Sequence, residues 1–181
     1  MLINKRLTDY GFVKTSQGVY QCGSSPAAIT DEILSSLEQE CKRSPLQRCR
    51  INYHLDTANL VHEMILCLSL ETKIQPHSHL NKDESFHVIR GKIAIGFLEP
   101  EKPLVSDLYF LNADQGPYFM RIRAGIQHLV VPLSDICIVH ETTQGPFIQN
   151  EAHVPGWATE EGGADRVRKL RSTLVRQGLH S

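Results

Sequence analysis

The chain has 181 residues, a formal net charge of −1, 41% hydrophobic residues and 22% charged residues. That balance excludes a disordered chain and supplies no bulk attraction to nucleic acid or to an anionic membrane. No apolar run approaches the ~18 residues of a membrane span, and a chain of this length is expected to form one domain with a proper core.

Five cysteines, Cys22, Cys41, Cys49, Cys67 and Cys137, are odd in number and contain no C-x-x-C pair. Buried thiols in a reducing compartment are therefore expected rather than a disulfide framework. Residues 1–9 lack the apolar region of a signal peptide, so a cytoplasmic location is the expectation.

Val19–Cys22 reads as a short strand, and residues 23–26 as a turn or linker. Thr30 has the character of an N-cap, with Asp31 and Glu32 where the helix dipole favours negative charge. Ile33, Leu34 and Leu37 follow at helical spacing, which predicts a helix from about Asp31 to Lys42, stopped before Pro45.

The period then changes. Arg48, Arg50, Asn52 and His54 alternate with other residues into the apolar run Leu60–Leu70, which reads as a buried strand. These four polar side chains suit either anion binding, since arginine pairs bidentately with carboxylate or phosphate, or an exposed strand edge.

The stretch Pro76–Gly91 carries the chemistry. His77 and His79 are two apart, so an extended strand sends both side chains out of one face. Leu80–Asp83 suits a turn between two strands of a hairpin, and Glu84 opens the next run on the same side of the pleat as Phe86 and Val88. Arg90–Gly91 then reads as the turn into a hairpin arm, Lys92–Leu98. Two imidazoles and a carboxylate suit zinc, iron, nickel, copper, cobalt or manganese better than magnesium or calcium. His87 has the opposite parity, while His62, His140 and His153 lack ligand-like spacing and default to surface or satisfied core.

Further strands are expected at Leu104–Leu111, Tyr118–Ile122, His128–Val131 and Ile136–Thr142, parted by turn signals and without intervening helices. This series predicts an antiparallel sandwich or small barrel. Glu141 shares parity with Cys137 and Val139, and either lines the cavity or caps the sheet. Trp157 is expected as a packing anchor. Asp165–Gln177 places Val167, Leu170, Leu174 and Val175 on one helical face and basic residues mainly on the other, a pattern expected to dock on the barrel or on a second subunit.

The spacing His77-x-His79-x4-Glu84-x6-Gly91, with the later Gly125-Ile126-Gln127-His128, resembles the two motifs of the cupin superfamily. A rolled-up antiparallel sheet can return His128 to the first motif. The resemblance implies a mainly β, antiparallel jelly-roll barrel in which His77, His79, Glu84 and His128 hold one divalent transition metal. Arg123, Pro132 and Glu71 depart from the usual motif, but at turn positions rather than ligands.

A narrower pattern adds Arg48-x-Arg50-x-Asn52-x-His54, Lys82 within the first motif, Gly145-Pro146 and Trp157-Ala158. In that order these are similar to the WbuC family, bacterial cupin-fold metalloproteins associated with O-antigen biosynthesis. The likeness covers about Arg48 to Glu160 and implies a barrel over 48–160, an N-terminal arm over 1–47 with one helix, and a basic C-terminal helix over 161–181. Arg48, Arg50, Asn52, His54, Lys82 and Glu141 are the candidates to touch a substrate or support the ligands.

The expected function is a metal-dependent enzyme acting on a small polar metabolite, sugar or sugar-nucleotide related, by isomerisation or oxygen-dependent oxidation. The alternative is a non-catalytic metabolite-binding or sensing module, and a third reading makes the basic helix the working part. No nucleic-acid or membrane partner is expected, and cupin barrels imply a homodimer.

Overall fold

The computed structural model describes residues 5–23, 27–149 and 151–179, so most of the linker expected at 23–26 lies outside them. A 3-10 turn (Leu7–Tyr10) leads into β1 (Phe12–Ser16), β2 (Val19–Cys22), α1 (Asp31–Arg43), β3 (Arg48–Asn52) and β4 (Val61–Ser69). The first motif spans β5 (Ser78–His79) and β6 (Glu84–Arg90), followed by β7 (Lys92–Leu98), β8 (Val105–Asn112) and β9 (Phe119–Ile122). The remainder is β10 (His128–Pro132), β11 (Ile136–Gln144), β12 (Ala152–His153), α2 (Gly156–Thr159) and α3 (Gly163–Gly178).

Among the described residues the strands form a seven-stranded sheet ordered β1-β2-β3-β4-β11-β6-β9, a three-stranded sheet β10-β7-β8, and the small pair β12-β5. Every pairing is antiparallel except β2 with β3. The fold is thus mainly β with helices at both ends, as expected.

Side-chain parity explains how the layers stack. In β4, Ile65 and Cys67 join the core beneath α1, with Cys49 and Ile51 of β3 and Ile138 of β11. Their neighbours Leu68, Phe86, Val88, Cys137 and Val139 point the other way and meet Ile93, Ile95, Leu111 and Val130 of the three-stranded sheet. Ala94, Leu129 and Val131 leave by that sheet's outer face to pack on Leu170 and Leu174 of α3. Two facing sheets are therefore flanked by helices. Arg168, Lys169 and Arg176 of α3 are exposed, Arg171 donates to the Leu70 and Thr72 carbonyls, and each buried leucine contributes about 1.5–3 kcal/mol.

α1 begins where its cap predicts: the Thr30 hydroxyl accepts from the Ile33 amide at 3.4 Å. α3 closes against the sheet at Gly96, where a Cβ would stand 3.1 Å from Leu174 Cδ1.

Three expectations are corrected. The sheets face each other without closing into a barrel. β6 and β7 do not form a hairpin, because they belong to different sheets. Gly91 makes the crossing: its φ is +79°, and a Cβ there would lie 2.6 Å from the Ile136 carbonyl oxygen. β5 likewise does not pair with β6. It pairs with β12, and Asp83 ties the intervening loop to β9 and beyond by accepting from Arg121 Nε at 3.1 Å and the Ala124 amide at 2.9 Å.

Candidate metal centre

His77 lies just before β5, and its backbone is locked to His128 at the start of β10. Each amide donates to the other's carbonyl at 2.9 Å, an isolated antiparallel bridge. His128 shares parity with Val130, so its ring enters the space between the sheets and stops 4.5 Å from the His77 ring, centroid to centroid. Glu84, at the head of β6, projects into the same space on the parity of Phe86 and Val88. Side-chain nitrogens of His77 and His79 and a Glu84 oxygen all lie within 4.8 Å of one another.

The histidine tautomers follow from the backbone. His77 Nδ1 lies 2.9 Å from the Gln75 carbonyl oxygen and His128 Nδ1 lies 3.0 Å from that of Ile126. A carbonyl only accepts, so each Nδ1 carries the proton and each neutral ring keeps its lone pair on Nε2. This is the orientation that metal-binding histidines adopt.

The unsatisfied atoms converge as well. Glu84 Oε1 is buried without a hydrogen-bond partner, and His79 Nε2 stands 2.6 Å from it, within ion-pair distance. His128 Nε2 is likewise orphaned and lies 3.8 Å from Glu84 Oε2, although Glu84 and His128 are only 3% and 1% exposed. Buried polar atoms without partners cost about 1–3 kcal/mol each, a cost that a shared cation removes. The donor set of imidazole nitrogens and one carboxylate fits a first-row divalent ion.

Electrostatics prepare these groups. Burial, reinforced by His128, pushes His77 down to about 4. Burial lowers His128 as well. Burial pushes the Glu84 carboxyl up, but contact with His79 and the fields of His128 and His77 hold it below its ordinary value. Contact with Glu84 raises His79. At neutral pH the set therefore presents neutral His77 and His128 beside an ionised Glu84.

Two cavities open beside the cluster. One, of about 330 Å³, is lined by His77, Glu84, Arg48, Arg50 and Glu141 together with apolar wall residues. The other, of about 460 Å³, is lined by His79, Lys82, Asn52 and His54 and again by Arg50 and Glu141. Glu141 sits in register between Met64 and Phe86 on the inner face. Burial, then the field of Glu84, raises its carboxyl to about 7, against the pull of Arg50 and His79. It is thus poised to hold or release a proton near neutrality.

Lys82 is otherwise engaged. Its amine donates to the Pro146 carbonyl at 2.6 Å and pairs with Glu151 at 2.5 Å, holding Pro146 and Glu151 beside the site. Gln21 donates to the His54 carbonyl and accepts from Asn52 Nδ2 at 3.4 Å, which fixes the end of β3.

Sequence reasoning missed His62 and Glu151. The His62 ring stacks on His54 at 4.0 Å, and its Nε2 is buried without a partner in the second cavity. Parity with Met64, Leu66 and Leu68 on β4 was the available signal. His87, by contrast, is exposed on the outer face.

A family model described as a domain of unknown function, DUF6016, matches residues 29–107. No curated protein matches the chain. Among solved structures, it is similar to the capsular polysaccharide assembling protein CapF from Staphylococcus aureus, with 18% identity and a TM-score of 0.47 over 58% of this chain and 29% of that one. This chain thus spans less than a third of CapF. It is also similar to an uncharacterised conserved protein with a double-stranded beta-helix domain from Klebsiella pneumoniae, with 13% identity and a TM-score of 0.46 over 59% of this chain and 78% of that one. A protein from Bacillus halodurans is similar over 70% of this chain and 86% of its own, with 17% identity and a TM-score of 0.48.

Proposed function

We propose that this chain is a cupin-type metalloprotein that holds one divalent transition metal through His77, His79, Glu84 and His128 and acts on a small polar metabolite. One observation carries the reading. Carbonyl groups fix the His77 and His128 tautomers, so that Nε2 lone pairs and the buried Glu84 carboxylate converge beside a cavity.

A metal held there would act as a Lewis acid on a substrate oxygen, or support oxygen chemistry if it is iron. The chain's own residues do the rest. The apolar wall of Leu66, Phe86, Val130 and Val139 limits water, and Glu141 moves a proton at its carboxylate between substrate and solvent. A group able to carry that proton favours an enzyme over a sensing module.

The WbuC-like order of Arg48, Arg50, Asn52, His54, Lys82 and Gly145-Pro146 supports a sugar- or sugar-nucleotide-related substrate and a role in bacterial O-antigen biosynthesis. A homodimer belongs to the same reading. Exposed Phe119 and Tyr118 at the free edge β9, beside Ile89, support it.

The test is turnover of a panel of sugars and sugar nucleotides by metal-loaded protein. His79→Ala and Glu84→Gln should abolish turnover while the protein still folds. Unchanged turnover in both would overturn the proposal, and metal-dependent binding without turnover would identify a binding module.

A further inference from the structure

Neither the metal ligands nor the hydrophobic core accounts for the two arginines of β3. Arg48 and Arg50 alternate with Cys49 and Ile51, which are buried beneath α1, so both guanidiniums leave by the inner face. Their cross-strand neighbours on β4 are Leu68 and Leu66, which offer a guanidinium no hydrogen bond. Among the described residues, neither arginine has an ion-pair or hydrogen-bond partner for its side chain.

Both stay accessible from the cavity of about 330 Å³ that reaches His77 and Glu84. Two like charges on alternate residues of one strand repel each other, and Arg48 does weaken the charged form of Arg50. Glu141 lines the same cavity without pairing with Arg50, and its field favours the charged form of that arginine. A packing role would be met by an aliphatic side chain at either position. A fork of donors beside an open cavity instead matches the geometry of a planar or tetrahedral oxyanion.

We propose that this cavity binds a small-molecule oxyanion, a carboxylate or a phosphate ester, through Arg48 and Arg50. The rest of the ligand extends along Leu66, Val139 and Phe86 toward His77 and Glu84. The second contact rests on the metal-site reading above. The arginine contact does not, because neither guanidinium is a metal ligand. With a divalent cation in place, it and two guanidiniums face the carboxylates of Glu84 and Glu141, and the positive excess is what an anionic ligand neutralises. Arg50 also borders the second cavity, so a ligand held at its anionic end can place the remainder of its body on either side of Glu141.

The experiment is calorimetric titration of the full chain, metal-loaded and metal-free, with inorganic phosphate in one arm and succinate in the other. Arg48→Met and Arg50→Met keep the aliphatic stem and remove the charge. We expect at least one anion to bind, and each variant to weaken it by ~10-fold or more while thermal stability and metal content stay at wild-type values. Binding of phosphate alone identifies a phosphate ester, binding of succinate alone a carboxylic acid, and binding of both the shared chemistry. Failure of the protein to take up any metal, with anion binding intact, would overturn the metal-site reading and leave this one standing. No binding of either anion by wild-type protein, or equal binding by both variants, would overturn it.

Discussion

His77 and His128 exchange both of their backbone hydrogen bonds at 2.9 Å, and their rings meet at a centroid distance of 4.5 Å. Two residues far apart in the chain are thus fixed relative to each other by backbone before any ligand arrives. Each ring is then aimed by its own carbonyl two residues upstream, Gln75 for His77 and Ile126 for His128. The side-chain geometry is preorganised by main chain rather than by mobile side chains, which would lower the entropic cost of capturing a metal there.

Two groups of the site should oppose each other in acid. His77 is pushed down from 6.5 to about 4, so the unfolded chain takes up a proton in this window while the folded one does not. Its contribution to stability is present above about pH 6.5 and is lost as pH falls toward about 4. Glu141 is raised from 4.5 to about 7, so its contribution is present below about 4.5 and is lost as pH rises through about 7. Thermal melts of metal-free protein should show the gap between wild type and Glu141→Gln moving against wild type across that range. For His77→Gln the gap should move in the opposite sense. Gaps independent of pH would contradict both assignments.

Removing charge from Lys82 should be costly. Lys82→Met strands the Glu151 carboxylate in a site where both side chains are about one-tenth exposed, and it removes a donor from the Pro146 carbonyl. Breaking one side of a buried pair costs about 3–5 kcal/mol, whereas replacing both partners with apolar groups is far milder. Chemical denaturation should therefore rank Lys82→Met below the double variant Lys82→Met/Glu151→Leu. The reverse order would show that the pair is not a fastening.

Gly91 and Gly116 separate conformational strain from collision. Both have positive φ, +79° and +83°, but a Cβ at Gly91 meets the Ile136 carbonyl oxygen at 2.6 Å while one at Gly116 meets nothing within 4 Å. Gly116→Ala should cost about 1–2 kcal/mol from left-handed backbone alone. Gly91→Ala should cost more, because the crossing between sheets must shift. Equal midpoints in denaturant would show that the crossing tolerates displacement.

Glu141→Gln is expected to reduce turnover by about 10²–10⁴-fold, the range for loss of a general acid or base, with metal content unchanged. A variant that also loses its metal would show that Glu141 positions the ligands instead.

Much of this arrangement is legible in residue patterns. Thr30, Asp31 and Leu37 specify α1, and alternation in β3, β4 and β11 specifies which side chains face inward. The same parity places Glu141 beside the cluster and would have found His62. What is not legible is which strand pairs with which. The motif reads locally as two hairpins, yet Gly91 sends the chain to the facing sheet and β5 takes its partner from the remote residues Ala152 and His153. β1 escaped notice because only Phe12 of its five residues is buried, leaving no alternation to read. Glu151 reaches Lys82 through irregular chain, where periodicity carries no information.

The central claim is one divalent metal held by four named side chains. Elemental analysis of the purified, metal-reconstituted chain and of His128→Ala tests it most directly, because the orphaned Nε2 of His128 has no other partner among the described residues. The account predicts one equivalent of a first-row transition metal in wild type and its loss from His128→Ala after the same dialysis, with both proteins folded. Wild type without metal, or His128→Ala retaining a full equivalent, would contradict it.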